Sequence, residues 1–269
     1  DCAILQSVIS GHDDLDSTSA LIDVPDYAAS VNNPVEGLRI GIAREYNLEG
    51  GMDPQVTRAV DEAVNVYKSL GAQIVDVSLP HTKYGIAAYY VIAPCEASSN
   101  LARYDGVHFG HRTAEPVKDI IELFSKSRFE GFGEEVQRRI MIGTYALSSG
   151  YYDAYYNRAL KIRTLIKKDF DDAFRSCDVV LCPTTPTPAF KPGEKTGDPL
   201  AMYLCDVFTV TCNIAGIAGL SMQCGLTSDA RPLPIGMQLL APAFGEEKLI
   251  RVARMYERAT PWHARRPAL

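Results

Sequence analysis

"GLRIGIAREYNLEGGMDPQVTRAVDEAVNVYKSLGAQIVDVSLP" (37–80) reads as strand, helix and strand. Leu38, Ile40 and Ile42 give a short apolar run with the alternation of a strand. Asp53 before Pro54 is a helix start, a capping carboxylate ahead of a first-turn proline. Val56, Val60, Ala63, Val64, Tyr67 and Leu70 then keep helical spacing until Gly71 ends it. Ile74, Val75, Val77 and Leu79 make the second strand. Two strands joined through one helix by short connections form a βαβ unit, so a parallel or mixed sheet is expected.

Working outward, "DCAILQSVISGHD" (1–13) reads as a helix already under way, with Ala3, Ile4, Leu5, Val8 and Ile9 apolar and Gly11 as its stop. No initiator methionine precedes it, and the chain is expected to be a piece of a longer one. Residues 13–34 are polar and turn-rich, a surface loop by composition. Beyond the βαβ unit, residues 85–175 show no strand pattern and fit helices over 85–103, 115–128, 132–147 and 151–175. "CDVVLCPTTPTPAF" (177–190) supplies a buried strand, Val179 to Cys182, that runs into a threonine–proline loop. Pro183, Pro186 and Pro188 bar both helix and central strand, so this loop is held extended. "FTVTCNIAGIAGLSMQCGL" (208–226) mixes small residues with an apolar run. A further strand is expected at 235–242 and an amphipathic helix at 245–260, with Leu249, Val252, Ala253 and Tyr256 on one face.

The 269 residues are 46% hydrophobic and 22% charged, a globular composition. A net charge of −6 argues against a nucleic-acid surface spread over the chain and leaves a local RNA contact open. Seven cysteines lie scattered, mostly in apolar runs, without a C-x-x-C. That pattern fits reduced thiols in a cytosolic protein better than disulfides or zinc. No apolar run reaches the ~18 residues of a membrane span, and no signal peptide is read.

Candidate chemistry is sparse. His108 and His111 are the only close histidine pair, at a spacing that suits a solvated loop rather than a metal site. Neither phosphate-loop pattern occurs, and "GLSMQCG" (219–225) lacks the spacing of a serine nucleophile elbow while sitting in what reads as a buried strand. Ser148, Ser149 and Gly150 read as a helix break between aromatic turns. Parts of a binding site are present instead. The segment "RRIMIGTYALSSGYYDAYY" (138–156) holds five of the 14 tyrosines beside two arginines. Arg139 has the planar fork that grips a carboxylate, and equally it suits an ion pair with Glu135 at i−4. Only one of Arg138 and Arg139 can face inward. Asp206, in "YLCDVFTV" (203–210), stands in an apolar setting where a carboxylate needs a partner; capping a helix from Val207 and binding an ammonium both answer that need. Of Tyr89 and Tyr90 in the small-residue helix, one suits the core and the other can present its hydroxyl.

"EASSNLARYDGVHFGHR" (96–112), "SRFEGFGEEVQRRIMIGTYALSSGYYDAYYNRALKIRTLI" (127–166) and "DVVLCPTTPTPAF" (178–190) resemble the amidase-signature family. The tyrosine-rich block resembles that family's branch of A subunits of glutamyl-tRNA(Gln)/aspartyl-tRNA(Asn) amidotransferases, and the resemblance runs from "ISGHDDLDSTSA" (9–20) to "WHARRPAL" (262–269). It implies the C-terminal portion of an amidase-signature α/β/α sandwich, a mixed sheet covered by helices. Residues 1–269 would form a partial amidase domain with a helical subregion at about 85–175. The family's Ser–cis-Ser–Lys triad has no matching position here, so no catalytic residue is assigned. By motif position Tyr90, Arg139 and Asp206 match the family's glutamine-binding residues; the arginine would take the α-carboxylate, with the tyrosines as the wall around it. Ala218 and Gln223 stand where the family usually has prolines.

The resemblance further implies a glutamine-hydrolysing carbon–nitrogen ligase that converts misacylated Glu-tRNA(Gln), or Asp-tRNA(Asn), to its amide. This chain would carry no cofactor. The complex would use ATP and Mg²⁺ through a partner, with the B and C subunits completing a cytoplasmic heterotrimer, or one in an organelle matrix if eukaryotic, without a membrane. The alternatives are another amidase-signature amide hydrolase and a truncated, non-catalytic module.

Overall fold

A computed structural model describes residues 1–48, 51–195, 197 and 202–266. Contacts divide the chain into two compact units, one of Asp1–Lys83 with Ile166–Leu269 and one of Tyr84–Leu165.

The first unit is built on a five-stranded mixed sheet. Its strands are β1 (Arg39–Ala43), β2 (Gln73–Val77), β3 (Val179–Pro183), β4 (Ala218–Leu226) and β5 (Pro234–Ala241), in the order β2-β1-β3-β5-β4. β1 runs parallel to β2 and to β3, while β5 is antiparallel to β3 and β4. The expected βαβ unit is present: helix α3 (Pro54–Ser69) joins β1 to β2, and the Asp53 side chain accepts from the Gln55 N–H at 2.7 Å. The N-terminal helix α1 spans Cys2–Ile9. A short helix, α2 (Tyr27–Ser30), interrupts the expected 13–34 loop because the Asp26 carboxylate caps the Ala29 N–H.

Alternation along the strands puts two apolar layers on the sheet. On one side Val179 and Leu181 of β3 and Met237 and Leu239 of β5 pack with Val56, Val60 and Tyr67 of α3. Helix α9 (Glu246–Ala259) joins that layer through Leu249, Val252 and Tyr256, as its spacing predicts. Tyr67 is fully buried and donates to the Val252 carbonyl at 3.1 Å, which satisfies its hydroxyl in the core. On the other side Gln238 of β5 reaches Cys182 Sγ at 3.3 Å and the Phe208 carbonyl at 3.1 Å. The 208–226 segment divides there into a helix, α8 (Val210–Ala215), and strand β4, with Gly216 in the left-handed region (φ 66°) as the turn between them. Ala218 and Gln223 both lie in β4, whose register shifts between Gln223 and Gly225.

Asp178 fixes the sheet at β1. Its carboxylate accepts from the Arg39 backbone N–H at 3.0 Å and faces the Arg39 Nε at 3.3 Å and Lys248 Nζ at 3.2 Å. Burial pushes the Asp178 pKa up, but the Arg39 and Lys248 contacts outweigh it and leave the pKa lowered. A folded pKa below the unfolded one makes the contribution complete above the unfolded carboxylate pKa of about 3.9 and lost as pH falls through the folded value. Asp178→Asn is therefore expected to cost about 1–3 kcal/mol at pH 7. In urea titrations the gap to the parent should narrow below pH 3; a gap independent of pH contradicts the assignment.

The second unit is helical: α4 (Gly85–Asn100), α5 (Ile120–Gly131), α6 (Glu134–Ala146) and the start of α7 (Arg158–Ala173), preceded by one π turn at Asp153–Asn157. α5 starts later than the expected 115, with Asp119 as its cap, accepting from the Glu122 N–H. Helices α4 and α6 meet backbone to backbone at Gly143. A Cβ there would stand 2.0 Å from the Pro94 carbonyl oxygen, and next to it Ser98 and Thr144 hydroxyls bond at 2.9 Å.

Candidate functional site

Two of the three candidate binding residues come together in the helical unit. Arg139 projects from α6 toward α4, its guanidinium carbon 5.8 Å from the centre of the Tyr90 ring, within cation–π range. Glu135, one turn earlier, accepts from Arg139 Nε at 2.9 Å and from Arg138 Nη1 at 2.6 Å. The Glu135 bond is the first cause holding the Arg139 pKa above its ordinary value, and a Tyr89 hydrogen bond adds to it against the opposing effect of burial. Of the two readings of Arg139, the ion pair with Glu135 at i−4 is formed. The Arg139 fork still lies against two phenols. Arg138 is the more exposed of the two arginines, with 53% of its side chain accessible against 33% for Arg139.

Tyr89 and Tyr90 are both half-buried, so neither is the core residue that the sequence suggests. Their rings meet edge to face at 5.1 Å, and the pair forms one aromatic step beside Arg139. Tyr89 was not singled out as a partner of Arg139, because that contact depends on the α4–α6 packing and on no spacing within either helix. Glu135 was legible at i−4.

The wall expected from the tyrosines after Arg139 is not formed as expected. Tyr145 lies six residues on, about 9 Å along the helix axis. Its ring packs against Tyr151 at 4.6 Å and lies 6.5 Å from Tyr155. All three are exposed. Gly150, at φ 91°, turns the chain between α6 and the π turn and brings the phenols onto one another.

Asp206 belongs to the sheet-bearing unit and differs from expectation. It is exposed, at the end of a 3-10 turn over Leu204–Asp206. The buried member of its run is Phe208, which packs edge-on against Tyr46 at 5.5 Å. The apolar neighbours in sequence thus do not bury Asp206. The helix expected from Val207 begins at Val210 with Thr209 as its N-cap residue, and the Asp206 carbonyl accepts from the Thr209 N–H at 3.0 Å.

The proline-rich loop is anchored at two points. The Thr184 N–H donates to the Gly236 carbonyl at 3.0 Å, and the Pro186 carbonyl accepts from the Asp53 N–H at 2.9 Å. Ser221 of β4 is exposed rather than buried, and its hydroxyl bonds to that of Thr184 at 2.7 Å. Ser148 donates to the Tyr145 carbonyl at 2.7 Å, as a helix end. His108 faces Asp105 at 2.8 Å and His111 faces Glu130 at 2.6 Å, so each histidine takes its own carboxylate. His108 is the first cause holding the Asp105 pKa well below the usual range. Among the described residues no three His, Cys, Asp or Glu side chains gather as a metal site, and the cysteines are free thiols. No helix of the described chain is long and apolar enough to cross a membrane.

A family model described as Amidase matches residues 1–250. The chain belongs to the amidase family. Its mixed sheet with covering helices is the amidase α/β fold, and solved amidases share it. The chain is similar to the A subunit of glutamyl-tRNA(Gln) amidotransferase from Thermotoga maritima, with 37% identity, a TM-score of 0.74, and coverage of 96% of this chain and 50% of that one. The fold alone is shared with 6-aminohexanoate cyclic dimer hydrolase, at 21% identity and a TM-score of 0.75 over 98% of this chain and 54% of that one. In sequence, the amidase named as the A subunit of glutamyl-tRNA(Gln) amidotransferase in Geobacter metallireducens is 55% identical over 269 residues, 100% of this chain and 55% of its own length. The relative of the same name in Carboxydothermus hydrogenoformans is 55% identical over 100% of this chain and 54% of its own length. The chain thus spans about half the length of the curated relatives it matches.

Proposed function

We propose that this chain is the C-terminal part of the glutamine-hydrolysing subunit of a tRNA-dependent amidotransferase. The observation that carries the reading is identity of 55% along all 269 residues to relatives named as A subunits of glutamyl-tRNA(Gln) amidotransferase. Arg139 beside Tyr89 and Tyr90 supports it with chemistry. In this reading Arg139 takes the α-carboxylate of glutamine through its planar fork and Tyr90 closes a polar edge with its hydroxyl, while Asp206 is assigned to the α-ammonium by motif position alone.

The rest of the reaction belongs to the complete protein and its complex. Glutamine hydrolysis would use a Ser–Ser–Lys triad outside this chain. The ammonia would pass to the B subunit, which holds misacylated Glu-tRNA(Gln), or Asp-tRNA(Asn), and activates it with ATP and Mg²⁺, and the C subunit would join the two. Binding and orienting glutamine is the part this chain's residues perform.

Residues 1–269 alone are expected to release no ammonia from glutamine above a protein-free blank, with or without the B and C subunits, since no nucleophile–base pair is assembled among the described residues. Restoring the N-terminal half should restore turnover. Turnover by the isolated chain would make Ser148 or Ser221 a competent nucleophile and overturn the assignment. A complete protein that cleaves bulkier amides and spares glutamine would favour a stand-alone amide hydrolase.

A further inference from the structure

We propose that the crevice at the carboxyl ends of β1 and β3 is a second ligand site, one that takes a small protonated amine with an apolar body. The argument begins with topology. β1 and β3 are adjacent and parallel, and their outgoing connections part: from β1 the chain passes through α3 to β2 on one flank, and from β3 it continues to β4 and β5 on the other. Where neighbouring parallel strands send their connections opposite ways, an open α/β sheet is left with a crevice beyond the strand ends, the place where such sheets bind ligands. A cavity of about 440 Å³ lies there, lined by Ala43 at the end of β1 and Pro183 at the end of β3. That size suits a small molecule. It shares no residue with Tyr90, Arg139 or Asp206.

The lining sets the ligand class. Ile42 and Leu181 from the strands, Val60 and Val64 from α3, and Met52 make an apolar interior. Thr57, Val60, Asp61 and Val64 fall on one face of α3 by their spacing, so the helix adds two polar groups beside two apolar ones. The polar lining comprises Asn47, Thr57, Asp61 and Arg44. Of its two charges, Arg44 stands 3.8 Å from Asp76, whereas Asp61 has no ion-pair partner among the described residues. An ammonium therefore finds an available carboxylate at Asp61, with the Asn47 and Thr57 oxygens as further acceptors. An anion would have to draw Arg44 from Asp76 while facing Asp61.

The test is calorimetric titration of the complete protein with phenethylamine at pH 7, beside its neutral and anionic counterparts, 2-phenylethanol and phenylacetate. Saturable one-to-one binding of the amine is expected, unaffected by excess glutamine. Asp61→Asn, an exposed change that spares the fold, should weaken it at least tenfold. Val64→Trp, which fills the crevice, should abolish it. The proposal is overturned by absence of saturable binding, by phenylacetate binding as tightly as the amine, by displacement with glutamine, or by an Asp61→Asn variant that binds like the parent.

Discussion

Arg139→Ala in the complete protein is expected to raise the KM for glutamine by about 30-fold or more, while activity driven by free ammonia stays near that of the parent. The magnitude follows from the proposed pairing with the α-carboxylate, as losing one partner of a desolvated charge pair costs about 2–5 kcal/mol. Arg139→Lys should recover little, because an ammonium cannot make two parallel contacts to a carboxylate and would meet the Tyr90 ring as a point charge. Two controls separate binding from architecture. Arg138→Ala removes the other guanidinium on Glu135 and should leave KM within about twofold, as the energy of an exposed ion pair is below about 1 kcal/mol. Ammonia-dependent activity reports the fold and the assembly; if it fell as far as glutamine-dependent activity, Arg139 would be a structural residue clamped by Glu135, and the glutamine assignment would be wrong.

Gly143→Ala should be the most damaging single-carbon change in the helical unit. On helix propensity alone the substitution would stabilise α6 by about 1 kcal/mol. The new Cβ, however, would lie 2.0 Å from the Pro94 oxygen and 2.5 Å from the Pro94 carbonyl carbon, with Ser98 Cβ at 2.8 Å. Two of those three atoms are backbone, so no rotamer change relieves the clash and α4 and α6 must separate. Overpacking of this kind costs about 3 kcal/mol or more. Circular dichroism melts of the complete protein decide the sign, and a raised Tm for Gly143→Ala would mean that the helices are not in backbone contact. Because Tyr90 sits on α4 and Arg139 on α6, the same variant should lower affinity for glutamine.

Where the sequence carried a strong period or a cap with a mechanism, it foretold the structure. The unit from Leu38 to Leu79 is the clearest case, with Asp53 and Pro54 starting α3 as expected. The start of α5 was expected too early, at 115, although Asp119 followed three residues later by Glu122 is a capping pattern. Helix α8 was not legible, because a six-residue, mostly apolar run suits a buried strand and a helix equally. The site was half legible. Arg139 and its Glu135 partner follow from helical spacing, but the place of Tyr89 in the pair depends on how α4 lies against α6. The apolar letters around Asp206 concealed a chain that buries Phe208 and leaves Asp206 exposed.

The wide turn at Asp153–Asn157 has a bearing on how this segment can vary. A π turn holds one residue more than an α turn, so it takes up a surplus residue without turning the winding that follows. Losing one residue between 153 and 157 would let this turn close to an α turn and leave the azimuth of the buried Ala159 in place. The same loss from a plain α turn would rotate everything after it by about 100°. A one-residue deletion at the exposed Tyr155 is thus a length change this segment can absorb, and one within α7 is not.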